Sequence, residues 1–418
     1  MKNLTKFLLP FLIIILLSFG CKMANKIAYI NLAPLYEAEK KTEITGLRVF
    51  HENDSISTVY VKYKLTDEFY QQTEGTSNHV ASYSLGFAVY PSYQSNLILD
   101  SATYFLSDSL NFGKNTELVF DFNVKAKFGQ DYLLEVQLSD LFAGTSTLLP
   151  QNIIKETRNG SQSFLPANQN NAIIFEDWIS SQANFRLTSN NDSINQLFVR
   201  YYNRDFPMAP PPFSAANPEI YDYKADDIFT IKFENRKTVA LTLPNEGFYH
   251  FQSDTTQIHG LTLFRFYDGY PKVTETAQLV PPLRYLTSNK EFKQLSTSAN
   301  QKMAVDSFWI SSAGNEERAL EILKQYYSRV EMANLLFTSF KEGWKTDRGM
   351  IYIIFGPPKT VYRRDDIETW VYGEQGNRVS LTFDFIKAIN PFTENDYILQ
   401  RQTDYKTPWF IAVDYWRR

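Results

Sequence analysis

Cysteine and histidine are the scarcest informative residues in this sequence, and their scarcity narrows the chemistry available to it. The 418 residues include one cysteine, Cys21, and four histidines. A single cysteine excludes a disulfide within the chain and any cysteine-based zinc site. None of the histidines has a metal-ligand spacing; His250 and His259, which flank Asp254, are interpreted as ordinary surface histidines. The sequence therefore predicts neither a metal site nor a cofactor.

An excess of charge and the common catalytic motifs are also missing. The formal net charge is −4, and a mildly acidic chain has no general attraction for nucleic acid. The sequence has no Gly-x-Ser-x-Gly elbow and no GxxxxGK[ST] phosphate loop, so no catalytic residue is assigned. What it does have is aromatic residues, with 26 Tyr and 33 Phe, which favour strands with one packed face.

The sequence has one long apolar run, and it lies at the N-terminus. Lys2 and Lys6 precede the run Phe7–Phe19, and Gly20 follows it. The run is shorter than the ~20 residues of a membrane-spanning helix, so residues 1–20 are interpreted as a signal peptide. The small Gly20 directly before Cys21 resembles a bacterial lipoprotein signal. The alternative is an uncleaved anchor helix with an incidental cysteine.

The resemblance to a lipoprotein signal implies a location. It implies that Cys21 becomes the acylated N-terminus and anchors the protein in a membrane, since several acyl chains hold a protein firmly. Lys22 follows the cysteine, where some bacteria carry an aspartate as an inner-membrane retention signal. The expected location is the outer membrane, on either its periplasmic or its surface face.

Strand patterns dominate the next 250 residues. Residues 21–44 are predicted to be a lipidated tether, and 45–146 a β-sandwich-like module, in which Ser57–Leu65 alternates clearly. A polar connector is predicted over Thr147–Asn170, and a second β-sandwich-like module over 171–288. The strands predicted in that second module are Asn184–Leu187, Gln196–Asn203, Ile228–Glu234, Ala240–Leu243, Phe248–Gln252 and Leu261–Phe266.

The pattern changes to helical toward the C-terminus. Residues 289–314 are predicted to form a helical linker, and Asn315–Phe340 a long amphipathic helix with Asn315 as its N-cap and Gly343 as its C′ residue. Met350–Phe355 is predicted as a buried strand, followed by three more strands. The fold class is mainly β, with an α+β domain over 315–418 in which the long helix packs on a small antiparallel sheet.

One motif in this domain carries a family resemblance. The heptapeptide from Gly343 to Gly349, GWKTDRG, is followed by Gly-Pro-Pro and then Glu-Thr-Trp. Together they resemble the GWxTD domain over Asn315–Tyr397. The resemblance implies a bacterial envelope protein, notably a lipoprotein of the Bacteroidota. It implies no enzymatic activity or mechanism. The candidate interaction residues are Gly343, Trp344, Thr346, Asp347, Arg348, Gly349, Gly356, Pro357, Pro358, Glu368 and Trp370, with Lys345 inside the motif.

The polar residues of the motif allow two interpretations. As a binding site, Asp347 and Arg348 would hold an anion or a partner backbone. As architecture, which we favour, Asp347 would accept amide hydrogen bonds in the turn, and Trp344 would seal the helix against the sheet. Arg348 would then pair with one of the nearby carboxylates: Asp365, Asp366 or Glu368.

Three functions follow as hypotheses. The first is a non-catalytic, lipid-anchored interaction or assembly module of the outer membrane or its surface-export machinery, with envelope proteins as partners. The second is a glycan- or peptide-binding lipoprotein that uses sandwich-face aromatics. The third is a carboxylate-dependent hydrolase, which requires two acids facing each other in a pocket. For the second hypothesis, the candidates for stacking on a glycan or peptide are Tyr201, Tyr202, Tyr221 and Tyr223.

Overall fold

The computed structural model describes residues 26–37, 43–114, 116–215, 223–374, 377 and 380–417. The predicted signal peptide, residues 1–20, and the predicted acylation site, Cys21, lie outside these ranges. Inside them, no helix combines the length and the apolar character needed to cross a membrane.

The first module is a sandwich of two antiparallel sheets, as the alternating pattern predicts. One sheet has the order β1-β2-β6 and the other β3-β4-β7-β8, with β5 also paired to β4. Successive strand side chains point to opposite faces, so Val59, Leu85 and Val136 meet in one core, fully buried. The strands are β1 Ile44–His51, β2 Ile56–Lys64, β3 Tyr70–Gln72, β4 His79–Tyr90, β5 Asp100–Asp108, β6 Glu117–Lys125, β7 Tyr132–Asp140 and β8 Ser146–Ile153.

The strand β8 corrects the predicted polar connector Thr147–Asn170. It pairs with β7 along its length, and its Ile153 side chain is fully buried. The prediction was wrong here because Pro150 and the polar residues after it interrupt the apolar pattern. Pro150 is tolerated because β8 is an edge strand, where a missing backbone N–H breaks no ladder.

The second module is one sheet of seven strands, in the order β15-β14-β11-β12-β13-β10-β9. Phe185 of β10 contacts Phe251 of β14, with ring centroids 6.4 Å apart, although three strands separate them in the sheet. The sheet therefore folds over itself around one core, which makes it sandwich-like. The strands are β9 Leu165–Asn168, β10 Phe185–Thr188, β11 Gln196–Tyr202, β12 Asp227–Glu234, β13 Lys237–Thr238, β14 Gly247–Gln252 and β15 Leu261–Arg265.

Two predictions in this module need correction. β9 lies inside the predicted connector and pairs with β10. The strand predicted over Ala240–Leu243 is reduced to one bridge between Leu241 and Phe185, because the chain already pairs through β13.

The C-terminal part is a long helix on a small antiparallel sheet, as predicted, but the first of its four strands, Thr360–Arg363, was not predicted. Phe337 of the helix packs on Trp370 of the sheet, with ring centroids 5.5 Å apart, inside one large core. The helices are α1 Thr276–Leu279, α2 Asn289–Ser296, α3 Gln301–Ala313, α4 Glu316–Phe337, α5 Asp347–Phe355 and α6 Lys406–Trp416. The sheet runs in the order β16 Thr360–Arg363, β17 Ile367–Tyr372, β18 Leu381–Lys387 and β19 Tyr397–Leu399.

The long helix α4 is shorter than the predicted range Asn315–Phe340. Its start is as predicted, because the Asn315 side chain accepts a hydrogen bond from the Arg318 amide. Its end comes early because Thr338 leaves helical geometry, with φ −54° and ψ 130°. Gly343 is therefore not the C′ residue of α4, and its requirement for glycine has another cause, described below.

The predicted strand Met350–Phe355 is a helix, α5. Met350, Ile351, Tyr352 and Ile353 are all at most 1% exposed, so the helix is surrounded by core and shows no amphipathic period. Periodicity alone cannot distinguish such a run from a buried strand. The deciding signal is Thr346, whose side chain caps the helix by accepting from the Gly349 amide.

The predicted tether is also corrected over residues 26–37, which are part of the C-terminal core. Leu32 donates its amide to the Val361 carbonyl at 2.9 Å, and the Val361 amide donates to Asn31 Oδ1 at 2.9 Å. Leu32 and Tyr36 are buried against the same core as α4. Partners more than 300 residues away along the chain gave no local signal for this attachment.

Candidate functional site

The motif segment lies between α4 and α5 in the chain and packs against the backbone of α4. A 3-10 turn, Gly343–Lys345, connects to the start of α5. A Cβ on Gly343 would lie 2.0 Å from the Ala333 carbonyl oxygen, and a Cβ on Gly349 would lie 2.0 Å from the Gly343 carbonyl oxygen. Both glycines are therefore required by close backbone approach, not by a helix end.

Trp344 is held by two hydrogen bonds of its backbone and by the packing of its ring. Its backbone N–H donates to Asn334 Oδ1 at 3.1 Å, and its carbonyl accepts from the Tyr285 hydroxyl at 3.0 Å. Asn334, fully buried on α4, also donates to the Pro271 carbonyl at 3.0 Å. The Trp344 ring is 6% exposed and packs into the C-terminal core, edge-on to the Tyr285 ring at a centroid distance of 6.3 Å.

Thr346 and Asp347 bind two different parts of the domain. Thr346 Oγ1 donates to the Gly343 carbonyl at 2.7 Å and accepts from the Gly349 amide at 3.0 Å. Asp347 was expected to accept amides in this turn, but its Oδ2 accepts from the Leu399 amide of β19 at 2.8 Å. Asp347 also forms an ion pair with Arg401. The carboxylate thus joins α5 to the sheet.

Arg348 pairs with Glu368, one of its three predicted partners. Its Nη1 lies 3.6 Å from Glu368 Oε1, and both side chains are buried. Glu368 also accepts from Arg363 Nε at 2.7 Å and from Trp370 Nε1 at 2.7 Å. The Tyr36 hydroxyl donates to it at 2.9 Å. We call these five residues the buried charge network.

The electrostatics of this network keep Glu368 ionised. Burial would raise the pKa of Glu368, but the adjacent Arg363 and Arg348 outweigh it and lower that pKa to about 2. A buried carboxylate with two guanidinium partners and two further donors has its hydrogen-bonding capacity filled. The network therefore fits architecture, as favoured from the sequence, better than anion binding.

The remaining candidate residues lie on the strand side of the same core. Gly356 ends α5 with φ 83°, a value that favours glycine, and its carbonyl accepts from the Tyr372 hydroxyl at 2.7 Å. Pro358 is buried and Pro357 exposed in the turn before β16. Trp370 is fully buried between α4 and the sheet.

One side of the motif faces a cleft of about 460 Å³, which we call the motif cleft. Its size falls in the range typical of ligand pockets. Trp344 and Lys345 of the motif form one wall, and the segment from Asp205 to Met208, after β11, faces them. The other apolar lining residues include Val273, Pro281, Pro282, Phe292 and Val330. The motif is thus buried on the network side and reachable on the cleft side.

Carboxylates outnumber cations around the motif cleft. Asp205, Glu275 and Glu342 line it, together with one cation, Lys345. Lys345 Nζ lies 3.1 Å from Asp205 and 3.1 Å from Glu342. Burial would lower the pKa of Lys345, but these two carboxylates raise it. Two acids do meet here, as the hydrolase hypothesis requires, but an ammonium lies between them, which suits an ion-paired rim better than an acid–base pair.

The predicted aromatic candidates do not form one open surface. Tyr202 is 2% exposed and stacks on Phe248 at 4.6 Å, while the Tyr201 hydroxyl donates to the Glu246 carbonyl at 2.6 Å. Tyr223 is exposed and shares with Tyr202 a cleft of only about 100 Å³. Tyr221 lies outside the described residues.

His250 is a buried histidine, not the surface histidine that we expected. Its ring nitrogens bond the Thr262 hydroxyl at 2.9 Å and the Ile258 carbonyl at 3.0 Å, because its strand β14 is covered on the face that His250 occupies. Asp254 accepts from Thr256. Among the described residues, no group of three His, Cys, Asp or Glu is arranged to hold a metal ion.

Several residues that build the site were missed from the sequence. Arg401 and Asn395, which bind Asp347 and Arg348, come from distant segments and gave no local signal. Asn334 did give one: it is a polar residue beside Val330 and Phe337 on the apolar face of α4, where an unpaired amide would be costly.

Comparison with known families agrees with this geometry. The family model of the GWxTD domain matches residues 247–418, a longer stretch than the predicted Asn315–Tyr397, since it begins at β14. Among curated proteins, none gives a significant match to the chain. The motif, the helix α4 and the four-stranded sheet all lie within the matched range, and residues 247–418 of this chain are a GWxTD domain.

Proposed function

We propose that this protein is a lipid-anchored protein of the outer membrane, and that its motif cleft binds a segment of another envelope protein. The observation that carries the proposal is the cleft itself, whose wall is built by Trp344 and Lys345 of the motif. The buried half of the motif holds the domain together, and the cleft half is the part that a partner can reach.

The chemistry of the cleft defines the partner segment. Phe206, Met208, Val273 and Phe292 offer an apolar floor, which suits a large aliphatic or aromatic side chain. Asp205, Glu275 and Glu342 against the single Lys345 leave two negative charges in excess at the rim. A complementary segment carries Lys or Arg beside its apolar anchor, because opposite charges across an interface favour specific association.

The predicted anchor lies only a few residues before the segment 26–37, part of which packs into the core of the GWxTD domain. If Cys21 carries the lipid, only five residues, 22–26, separate it from Ile27, which is 1% exposed. Six extended steps span at most about 20 Å. The segment after Ile27 is bonded to β16 through Leu32. An acylated Cys21 would therefore hold the GWxTD domain near the membrane surface, where a membrane-associated partner is concentrated.

Site-specific photo-crosslinking in the native host tests the partner. A photoreactive residue at Ala277, exposed beside the cleft, is expected to give one discrete adduct with an envelope protein. The same residue at Leu110, exposed on the first module, is expected not to give that adduct. Recovery of the protein alone from Ala277, or the same adduct from both positions, would overturn the proposal.

A charge reversal tests the role of the rim. Glu342→Lys removes one carboxylate of the cleft and adds a cation, so the Ala277 adduct is expected to fall at least about fivefold. Glu317→Lys makes the same change at an exposed position on the first turn of α4 and is the matched control. Equal loss in both variants would assign the effect to net charge and not to the cleft.

Acylation is tested separately. Labelled palmitate is expected to be incorporated into the wild-type protein, which then fractionates with outer membranes. Cys21→Ser is expected to lose both the label and the membrane fraction. A wild-type protein without label would contradict the lipid anchor and leave the cleft to be judged by the crosslinking result.

A further inference from the structure

A second cavity, of about 410 Å³, lies between the two β modules, far along the chain from the GWxTD motif. One side comes from the end of β1, at His51, and from the β1–β2 turn, which includes Asp54. The other comes from Ser189–Ser193, after β10 of the second module. Lys155, just beyond β8, lies in its lining, and we call this the lysine cavity. Its volume falls in the range of small-ligand sites.

Lys155 is a buried cation whose amine is held by neutral groups. The residue is 2% exposed, and its Nζ donates to the Ile56 carbonyl at 3.0 Å and to Ser57 Oγ at 3.0 Å. Among the described residues, no ion pair within 4.0 Å involves Lys155. An ammonium has three donors, so one remains for a ligand.

The carboxylates around the lysine cavity already have partners of their own. Asp54 pairs with Arg158, and Asp192 pairs with Arg236. Glu52 accepts from Asn190 Nδ2 at 2.5 Å. Lys155 is therefore the cation of this cavity whose charge is left for a ligand to balance.

A directed hydrogen-bond chain fixes the lysine as a donor. His51 Nε2 lies 2.7 Å from the Ile154 carbonyl and must donate to it, so His51 Nδ1 accepts from the Ser57 hydroxyl at 3.0 Å. Burial lowers the pKa of His51 to about 4, which keeps the ring neutral at pH 7. The Ser57 oxygen is thus left to accept from Lys155, and the ammonium is oriented before any ligand arrives.

The rest of the lining suits a ligand that carries hydroxyl groups. Ser163, Asn191 and Ser193 contribute short polar side chains. Phe128, 39% exposed, has the Arg158 guanidinium 4.1 Å from its ring centroid and offers an aromatic face to an apolar sugar surface. Amides, hydroxyls and one aromatic ring around a single buried cation match a small polyhydroxylated acid.

We infer that the lysine cavity binds a small hydroxylated carboxylate of the uronic acid class, whose carboxylate accepts a hydrogen bond from Lys155 Nζ. The ligand's hydroxyl groups bond the amide and hydroxyl side chains of the lining. A charge-assisted hydrogen bond of this kind is about twice as strong as a neutral one. This site is independent of the motif cleft and of the partner proposed for it.

Binding at Lys155 is coupled to a proton. Burial lowers the pKa of Lys155 to about 8, opposed by the charge of Asp54. A carboxylate beside the amine raises that pKa again, so at pH 8 the complex takes up part of a proton from the buffer. Other titratable or charged groups around Lys155 are His51, Glu52, Arg158 and Asp192 in the cavity lining, and Asp131, whose Oδ1 accepts from the Lys155 backbone amide.

Isothermal titration calorimetry on the full-length protein tests the inference, with D-glucuronate as the probe and D-glucose as its uncharged match. At pH 8, in two buffers of different ionisation enthalpy, saturable glucuronate binding is expected with a net uptake of about half a proton. At pH 6.5 the uptake is expected to approach zero, because the amine is already protonated. Glucose is expected to bind at least about tenfold more weakly.

Variants assign the effect to the residue. Lys155→Met is expected to weaken glucuronate binding at least about tenfold and to abolish proton uptake, whereas Lys127→Met, an exposed lysine nearby, changes neither. Phe128→Ala, at a partly exposed ring, is expected to weaken glucuronate binding several-fold. If Lys155→Met does not fold, unchanged binding in Phe128→Ala would contradict the inference. Wild-type affinity in Lys155→Met, or no saturable binding of glucuronate to the wild type, would overturn the inference.

Discussion

The two buried cations Arg348 and Lys155 have opposite surroundings, and the contrast separates architecture from recognition. Arg348, in the GWxTD domain, lies 3.6 Å from Glu368, which also holds Arg363. Lys155, at the lysine cavity, donates from its Nζ to a carbonyl and a hydroxyl, both neutral groups. A buried charge is costly unless it is paired. In the motif, Glu368 balances the charge of Arg348. In the lysine cavity, Lys155 bonds neutral groups, and we infer that a ligand balances its charge.

The largest expected effect is at the centre of the paired site. Glu368→Gln removes the negative charge that the buried Arg348 and the partly buried Arg363 share. We expect the free energy of unfolding of the GWxTD domain to fall by about 3–5 kcal/mol. Denaturant unfolding followed by tryptophan fluorescence measures it. A loss below about 1 kcal/mol would show that the network is not structural.

The next largest effect is the loss of stability when the buried Trp344 ring is removed. Trp344→Ala removes a ring that packs in the C-terminal core and is 6% exposed. We expect a loss of about 3 kcal/mol, at the low end for buried tryptophan because the motif cleft borders the ring. Unchanged thermal unfolding of the domain would place the ring in solvent. Tyr415→Ala, at a side chain 75% exposed, is the control.

A smaller effect is the pH dependence that Lys155 gives to the free energy of unfolding. The unfolded chain holds the Lys155 proton up to about pH 10.5, whereas the folded chain releases it near pH 8. Because the unfolded state then binds more protons, Lys155 makes stability rise with pH in this window, by roughly 2 kcal/mol up to pH 10. Lys155→Met should lack this rise, so the measured quantity is the difference between the two proteins in urea unfolding at pH 8 and 10. Identical pH profiles would mean that Lys155 keeps its ordinary pKa.

The smallest effect is the stability of Lys155→Met itself at pH 7. The substitution removes a buried ammonium together with two hydrogen bonds to neutral groups, and these changes offset each other. We expect the free energy of unfolding to change by less than about 1 kcal/mol. A loss of 3 kcal/mol or more in urea unfolding would make Lys155 as structural as Glu368.

What the sequence predicts well is what depends on local pattern. The alternation in β2, the Asn315 cap of α4 and the pairing of Arg348 with a carboxylate downstream are all confirmed. The first two depend on residues a few positions apart, and the third on one partner, Glu368 on β17. The motif was also sufficient to predict the family, although the family match extends upstream to Gly247.

What the sequence did not predict depends on surroundings that only the fold supplies. Met350 to Ile353 are apolar on every side of α5 because core surrounds them, and this removes the helical period. Asp347 binds Arg401, 54 residues away, and Tyr36 binds Glu368 across 332 residues. Lys155 gave no signal in the sequence, because its setting depends on the groups that the fold brings to its amine, the Ile56 carbonyl and the Ser57 hydroxyl.

Titration of D-glucuronate into the Lys155→Met and Arg348→Met proteins tests the central contrast most directly. Both substitutions exchange a buried cation for the same apolar side chain. If a paired cation belongs to architecture and an unpaired one to recognition, Lys155→Met loses at least about tenfold in affinity while Arg348→Met binds as the wild type does. Equal affinity in all three proteins, or a loss confined to Arg348→Met, would contradict the account.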